Sequence, residues 1–281
     1  MIIKFSFMRI VTINKAKALH RSFSTMNKNI TIAISLFGLS MFACSTVLAE
    51  DSIKAGEDLS EFKTALKLTP DINNGRELYK MCVACHGPEG WGSSNGSYPQ
   101  IAGQLTAVVI KQLADIRAGN RDNPIMRAFT TLRALGGAQE IADVAGYIAT
   151  LPMTANNGQG NKHYLEQGKE IFLRDCADCH GEKGEGDIGE HVPMIQGQHY
   201  QYLARQYRWI RDGRRRNADK NMVEQIQGYS LRQEKAVLAY TASLKPPAEK
   251  LAEPGWQNPD FPGYFRGWEP EPTPERRGSV Q

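Results

Sequence analysis

Two short strings carry the chemistry of this sequence: Cys82-Val-Ala-Cys85-His86 and Cys176-Ala-Asp-Cys179-His180. Each places two thiols three positions apart with an imidazole directly after them, which is the covalent haem c attachment signal. Both thiols add across the vinyl groups of the porphyrin as thioethers, the two-residue gap spans the ring edge, and the adjacent histidine reaches the iron as proximal ligand. A zinc site would take four thiolates and leave the two histidines at matching offsets unexplained. A thioredoxin-like pair needs one C-x-x-C in a βαβ setting, and no strand pattern flanks either copy. The strings therefore predict two covalently bound haem c groups, held by Cys82, Cys85, Cys176 and Cys179, with His86 and His180 as iron ligands.

A proximal histidine leaves one axial position, and its occupant separates electron carriers from catalysts. Methionine raises the potential and blocks small-molecule binding, whereas an open position favours oxygen or peroxide chemistry. Met126 follows Cys82 by 44 residues and Met222 follows Cys176 by 46, in what read as equivalent loops. An isolated methionine usually fills a core gap, but the matched placement marks Met126 and Met222 as the sixth ligands. Met153 is a further candidate in the first copy. Met194 faces only Gln100 in the repeat and is expected to pack. His191 and His199 could instead give a bis-His haem, but neither has a counterpart in the first copy.

These groups must be positioned by a duplicated frame. The second motif repeats the first after 94 residues, and the similarity extends well beyond it. Gly75-Arg-Glu-Leu-Tyr79 upstream matches Gly168-Lys-Glu-Ile-Phe172, and Tyr98-Pro-Gln-Ile-Ala-Gly-Gln104 downstream matches Val192-Pro-Met-Ile-Gln-Gly-Gln198. Val109, Leu113 and Ile116, and likewise Leu203, Tyr207 and Ile210, are spaced four then three, as one face of a helix. Gly119 and Gly213 follow at the position that ends such a helix. Each copy closes on another apolar-periodic segment, the second opened by a capping box at Ser230 and Gln233. Units of this size have a thin core, to which an apolar macrocycle adds the missing buried surface. The reading is all-α: two helical haem units at 50–155 and 156–246, joined by a polar, Gly-rich stretch, then an irregular tail over 247–281.

Charge and address refine this. The chain has 34 Lys and Arg against 30 Asp and Glu, but six of the basic residues and no acidic one lie in the first 49 positions. The remainder is slightly acidic, so the net positive balance says nothing of polyanion binding. From Met26, the expected start, Lys28 precedes an apolar run ending at Val47-Leu48-Ala49, a secretory signal with cleavage expected after Ala49. Residues 1–49 are thus read as a presegment and the mature protein as periplasmic. Membrane association would come only through partners, or through an uncleaved or lipidated N-terminus at Cys44. Seven basic residues gather between Arg205 and Lys220, with Tyr207 and Trp209 among them. Export argues against nucleic acid, leaving a solvated helix face, neutralisation of haem propionates, or steering of an acidic redox partner. From Pro246 onward the chain combines eight prolines with five aromatics, a density that forbids regular helix or sheet, and the tail is expected to pack along the domains or to dock on a partner.

Taken together, CVACHG with YPQIAGQ and Met126, repeated as CADCHG with VPMIQGQ and Met222, resembles the tandem di-haem class I cytochromes c of the cytochrome c-four group and their c553-like single-domain relatives. The resemblance covers about residues 70–245. It implies two cytochrome c-like helical domains facing each other across a pseudo-twofold interface, with propionate edges close enough for exchange between haems. It also implies that Pro99 and Pro193 support the proximal histidines. The function implied is electron transfer in the periplasm, between a quinol-oxidising complex or a dehydrogenase and a terminal oxidase or reductase, with no catalytic residue of its own. The alternatives are a di-haem enzyme of peroxidase or thiosulfate-oxidising type, or a cytochrome subunit of a larger dehydrogenase.

Overall fold

The computed structural model of the chain describes residues 61–261 and 263. The presegment with Met26, Cys44 and the position after Ala49, and the tail beyond Gly263, lie outside the described residues.

The first half opens where Asp71 accepts hydrogen bonds from the amides of Asn73 (2.9 Å) and Asn74 (3.2 Å). This side-chain cap starts helix α1 (Ile72–Tyr79). Along α1, Gly75 and Tyr79 are four apart and share the face that meets helix α6 (Ala138–Thr150). A β-carbon at Gly75 would stand 2.1 Å from the carbonyl oxygen of Asp143, so only glycine allows the two backbones to cross this closely. One turn on, Tyr79 is fully buried and packs on Tyr147 of α6, ring centroids 5.3 Å apart.

The second half repeats the device. On helix α7 (Leu165–Asp175), Gly168 crosses helix α11 (Leu231–Ser243), where a β-carbon would lie 2.1 Å from the Ala236 carbonyl oxygen. Phe172 is fully buried and meets Tyr240 at 5.4 Å. The paired Gly-x-x-x-aromatic strings in the sequence are thus the two copies of one helix crossing.

Between the crossing helices run a one-turn helix bearing the motif, an irregular loop, and a longer helix. In order these are α2 (Val83–His86) and α3 (Thr106–Ala118), with α8 (Ala177–His180) and α9 (Tyr200–Arg211) in the second copy. Val109 and Ile116 on α3, and Tyr207 and Ile210 on α9, are buried as their periodicity predicted. Gly119 ends α3 in the left-handed conformation at φ 79°. The capping box at Ser230 and Gln233 is present at the start of α11.

Three short helices lie where the sequence read as loop: α4 (Pro124–Thr130), α5 (Leu132–Leu135) and α10 (Lys220–Gln227). All are too short for a 3.6-residue period to show. Each is announced by its cap, at Asn123 with Pro124 behind it, at Thr131, and at Asp219. Among the described residues the only β pairings are isolated bridges, Met153 with Leu251 and Asp187 with Val192.

The stretch joining the halves is fixed in place: Asn157 is 4% exposed and donates to the carbonyls of Gln198 (3.0 Å) and Ala242 (2.8 Å). The described part of the tail leaves the second half and packs on the first. The Met153 amide donates to Lys250 O (2.7 Å) and the Ala252 amide to Met153 O (2.8 Å). Trp256 lies on Trp91, and Phe261, 1% exposed, lies on Tyr79 within the first core. Asn258 donates to Pro88 O (2.7 Å) and to the Tyr147 hydroxyl (3.0 Å). An aromatic strap from the C-terminal side thus completes the N-terminal core.

Candidate haem sites

The first cysteine of each motif caps a one-turn helix that contains the second and ends on the histidine, with Gly87 or Gly181 beyond it at φ 76° and 77°. The four thiols are unbridged. Burial pushes Cys82 up to about 12, with Cys85 adding to it; burial, then the Asp175 charge, pushes Cys176 up to about 12. A redox-active C-x-x-C needs the opposite, a thiol lowered toward neutrality. Among the described residues no three or more His, Cys, Asp or Glu side chains gather as a metal cluster.

The histidines share one arrangement. His86 Nδ1 lies 3.1 Å from Pro99 O, and His180 Nδ1 lies 3.1 Å from Pro193 O. A carbonyl can only accept, so Nδ1 carries the proton and Nε2 keeps its lone pair. Burial holds both imidazoles below their ordinary range, with the bond to the proline carbonyl opposing. The neutral ring, fixed in tautomer by a carbonyl on the other nitrogen, is the form that ligates a metal.

Glycine makes this geometry possible. Gly92 and Gly186, at φ 66° and 73°, donate their amides to the carbonyls of His86 and His180, both at 2.8 Å. A β-carbon on Gly92 would come within 2.3 Å of Pro99 O, the atom that holds His86. On Gly186 it would come within 2.7 Å of the Pro193 carbonyl carbon. In the first half, Tyr98 also sets its ring edge-on to His86, centroids 6.2 Å apart. The donor set and the glycine cradle fit a covalently attached haem.

Met126 and Met222 occupy the same local position, the third residue of a short helix. The Met126 amide is capped by Asn123 Oδ1 and the Met222 amide by Asp219 Oδ1, both at 3.3 Å. Both side chains are half-buried. The two-residue difference in spacing from the motifs is absorbed before the caps. The other candidates are engaged elsewhere. Met153 is 4% exposed, and a β-carbon on Gly103 would lie 2.6 Å from its Cγ. Met194 is buried, and its backbone is held by Gln104. His199, buried, places Nε2 2.6 Å from Trp91 O, and His191 meets Phe62 edge-on at 5.2 Å.

The halves meet through repeat-equivalent glutamines. Gln104 donates to Met194 O (2.9 Å) and accepts from the Met194 amide (3.0 Å). Gln198 donates to Gln100 O (2.8 Å) and accepts from the Gln100 amide (3.1 Å). Positions 104 and 198, and 100 and 194, are each 94 apart, so the two clamps are related by a local dyad. The 94-residue register pairs Gln104 with Gln198 in the sequence, but it gave them no role; the fold shows that each clamps the other half.

The basic run between Arg205 and Lys220 is not one solvated face. Arg205 donates to the Gly96 and Ser97 carbonyls of the first half, Arg216 to Gly119 O (2.7 Å), and Arg215 to Gln112 Oε1 (3.1 Å). Arg208 and Arg211 pair with Glu234 on α11 at 3.3 and 2.6 Å.

Two helical units, each crossing through glycine and each presenting a C-x-x-C-H turn with a carbonyl-anchored histidine, define a tandem di-haem c-type protein. Comparison with known proteins agrees. The family model for cytochrome c matches residues 72–152 and again 165–245. Cytochrome c4 of Azotobacter vinelandii is 31% identical over 167 residues, covering 54% of this chain and 78% of the relative. A thiosulfate dehydrogenase electron acceptor of Stutzerimonas stutzeri (strain A1501) is 30% identical, covering 57% and 81%. The crystal structure of reduced recombinant cytochrome c4 from Pseudomonas stutzeri superposes with a TM-score of 0.56 at 27% identity, over 63% of this chain and 100% of that one. The chain belongs to the cytochrome c family, as a tandem of two such domains with two covalently bound haem c groups.

Proposed function

We propose that this chain is an electron carrier of the periplasm, with Cys82, Cys85, His86 and Met126 holding the first haem and Cys176, Cys179, His180 and Met222 the second. Haem c, when bound, supplies a one-electron Fe(II)/Fe(III) couple. The observation that carries the reading is the matched placement of Met126 and Met222, each on the third residue of a capped short helix. A methionine on each iron would leave no position for a substrate, so the residues would hold and tune the metal and do no chemistry of their own.

His86 and His180 keep Nε2 free by donating Nδ1–H to Pro99 and Pro193. Neutral rings tethered in this way need not reorient when the iron changes charge. The partners that suit such a carrier are a quinol-oxidising complex or a dehydrogenase as donor and a terminal oxidase or reductase as acceptor. The relative named as an electron acceptor of thiosulfate dehydrogenase supports a dehydrogenase on the donor side. Among the described residues no helix is long and apolar enough to cross a membrane.

Peptide mass spectrometry and stopped-flow reduction test the proposal together. The expected outcome is one haem on each C-x-x-C-H peptide and rapid reversible reduction of both. Turnover of peroxide or thiosulfate by the purified protein alone would overturn it.

A further inference from the structure

The C-terminal strap reaches past the first core to the turn that carries the first proximal histidine. Gly87 and Pro88 follow His86 directly, and the carbonyls of both are bonded by side chains. The Tyr79 hydroxyl donates to Gly87 O (2.9 Å), and Asn258 Nδ2, from the strap, donates to Pro88 O (2.7 Å). Asn258 is 2% exposed and firmly held. Its Nδ2 also reaches the Tyr147 hydroxyl (3.0 Å), its Oδ1 accepts from the Asp260 amide (3.1 Å), and its own amide donates to Glu89 Oε1 (3.4 Å). Asp260 in turn accepts from the Tyr147 hydroxyl (2.9 Å) and lies 3.5 Å from the Arg76 guanidinium. At the far end of the loop Trp256 lies on Trp91, ring centroids 5.9 Å apart, and the next residue, Gly92, donates to His86 O. The strap therefore grips the segment 87–92 near both ends, and both ends belong to the cradle of His86.

The second copy of this turn is built differently. Phe172 stands where Tyr79 does and has no hydroxyl to offer, while Glu182 and Glu185 take the places of Pro88 and Trp91. Burial differs with it. His86 is 6% exposed and Pro88 is buried, whereas His180 is half-buried and Glu182 exposed. Cys85 is likewise half-buried where Cys179 is exposed. The two histidines share one anchor on Nδ1 but sit in unlike surroundings. Nothing in a duplicated frame requires this difference, and the strap follows residue 245, where the second family match ends.

We infer that the strap is a redox-tuning brace for the first haem: Asn258 and Trp256 pin the His86 turn and keep water from it, and so raise the potential of that haem alone. The inference rests on the di-haem reading above. Oxidised haem carries one more positive charge than reduced haem, and water stabilises that charge, so a drier shell around the ligand favours Fe(II). Asn258 is a positioning residue here, acting through Pro88 and the turn that holds His86. One ligand set thereby meets two environments in a single chain.

The test joins spectroelectrochemical titration to hydrogen exchange on the holoprotein as wild type, Asn258→Ala and Trp256→Phe, with haem counted on each C-x-x-C-H peptide by mass. Asn258→Ala should lower one midpoint potential, leave the other in place, and speed amide exchange over 84–92 but not over 178–186. Trp256→Phe should do the same more weakly, and it carries the result if Asn258→Ala does not hold both haems. Faster exchange at 84–92 with both midpoints unmoved overturns the inference, because the strap is then structural only. It is overturned equally if neither quantity changes, or if both midpoints fall together. Wild-type protein without a haem on each motif sinks the di-haem reading, a failure seen before any midpoint is measured.

Discussion

His86 donates its Nδ1 proton to the carbonyl oxygen of Pro99 at 3.1 Å, and 94 residues later His180 does the same to Pro193 at the same distance. The relationship fixes which imidazole nitrogen is available, and glycine at 92 and 186 leaves room for it. The haem-binding reading grows from this pair of contacts, and so do several expected outcomes.

Replacing Met126 with Ala should lower the potential of the first haem and leave the second near its native value, because methionine ligation raises the potential. Met222→Ala should do the converse. Potentiometric titration of the two variants reads both effects. A Met126 variant with native potentials would remove that residue from the iron.

Gly75→Ala and Gly168→Ala force a methyl group to within 2.1 Å of a facing carbonyl oxygen, so the crossing helices must part. The expected loss is about 3 kcal/mol each, at the upper end of overpacking effects. Thermal melts of the two variants measure it, and an unchanged Tm in either would mean that the crossing yields freely.

Phe261 belongs to the core of the half it does not follow in sequence. Phe261→Ala should cost about 3–5 kcal/mol, with amide exchange rising first in α1 and α6 and much less in α7 and α11. Loss of protection confined to the second half would contradict the described path of the tail.

Asp175 stands beside Cys176, where the hydrogen bond from Arg174, opposed by burial and helped by Tyr229, holds its carboxyl below the usual range. Its folded pKa lies below its unfolded value, so its contribution is present above the unfolded pKa and is lost as pH falls through the folded one. Stability of the wild type should drop below about pH 4 more steeply than that of Asp175→Asn. Parallel denaturant titrations across that range compare the two slopes, and equal slopes would remove Asp175 from the acid response.

Local features of the sequence carried far into the structure. The C-x-x-C-H strings, the Gly-x-x-x-aromatic pairs and the Ser230 capping box all act within a few residues, and all sit where their spacing implied. What periodicity could not show were contacts between residues far apart in the chain. Its prolines argue against long helix or strand in the tail, but they do not say that Asn258 reaches Pro88. A cluster of arginines shows charge without its partners, so the sequence left a solvated face, haem propionates and a redox partner all open for Arg205, Arg215 and Arg216, which bond across the junction. The 94-residue register held more than was drawn from it: glutamines at 104 and 198 are paired in the sequence, but only the fold brings them to the dyad.

The visible and near-infrared spectrum of the fully oxidised holoprotein tests the central claim most directly, that both irons are held by histidine and methionine. The prediction is two low-spin haems, with a methionine-to-Fe(III) charge-transfer band whose intensity accounts for both. A high-spin signal from either haem, or a band that accounts for only one, would contradict it.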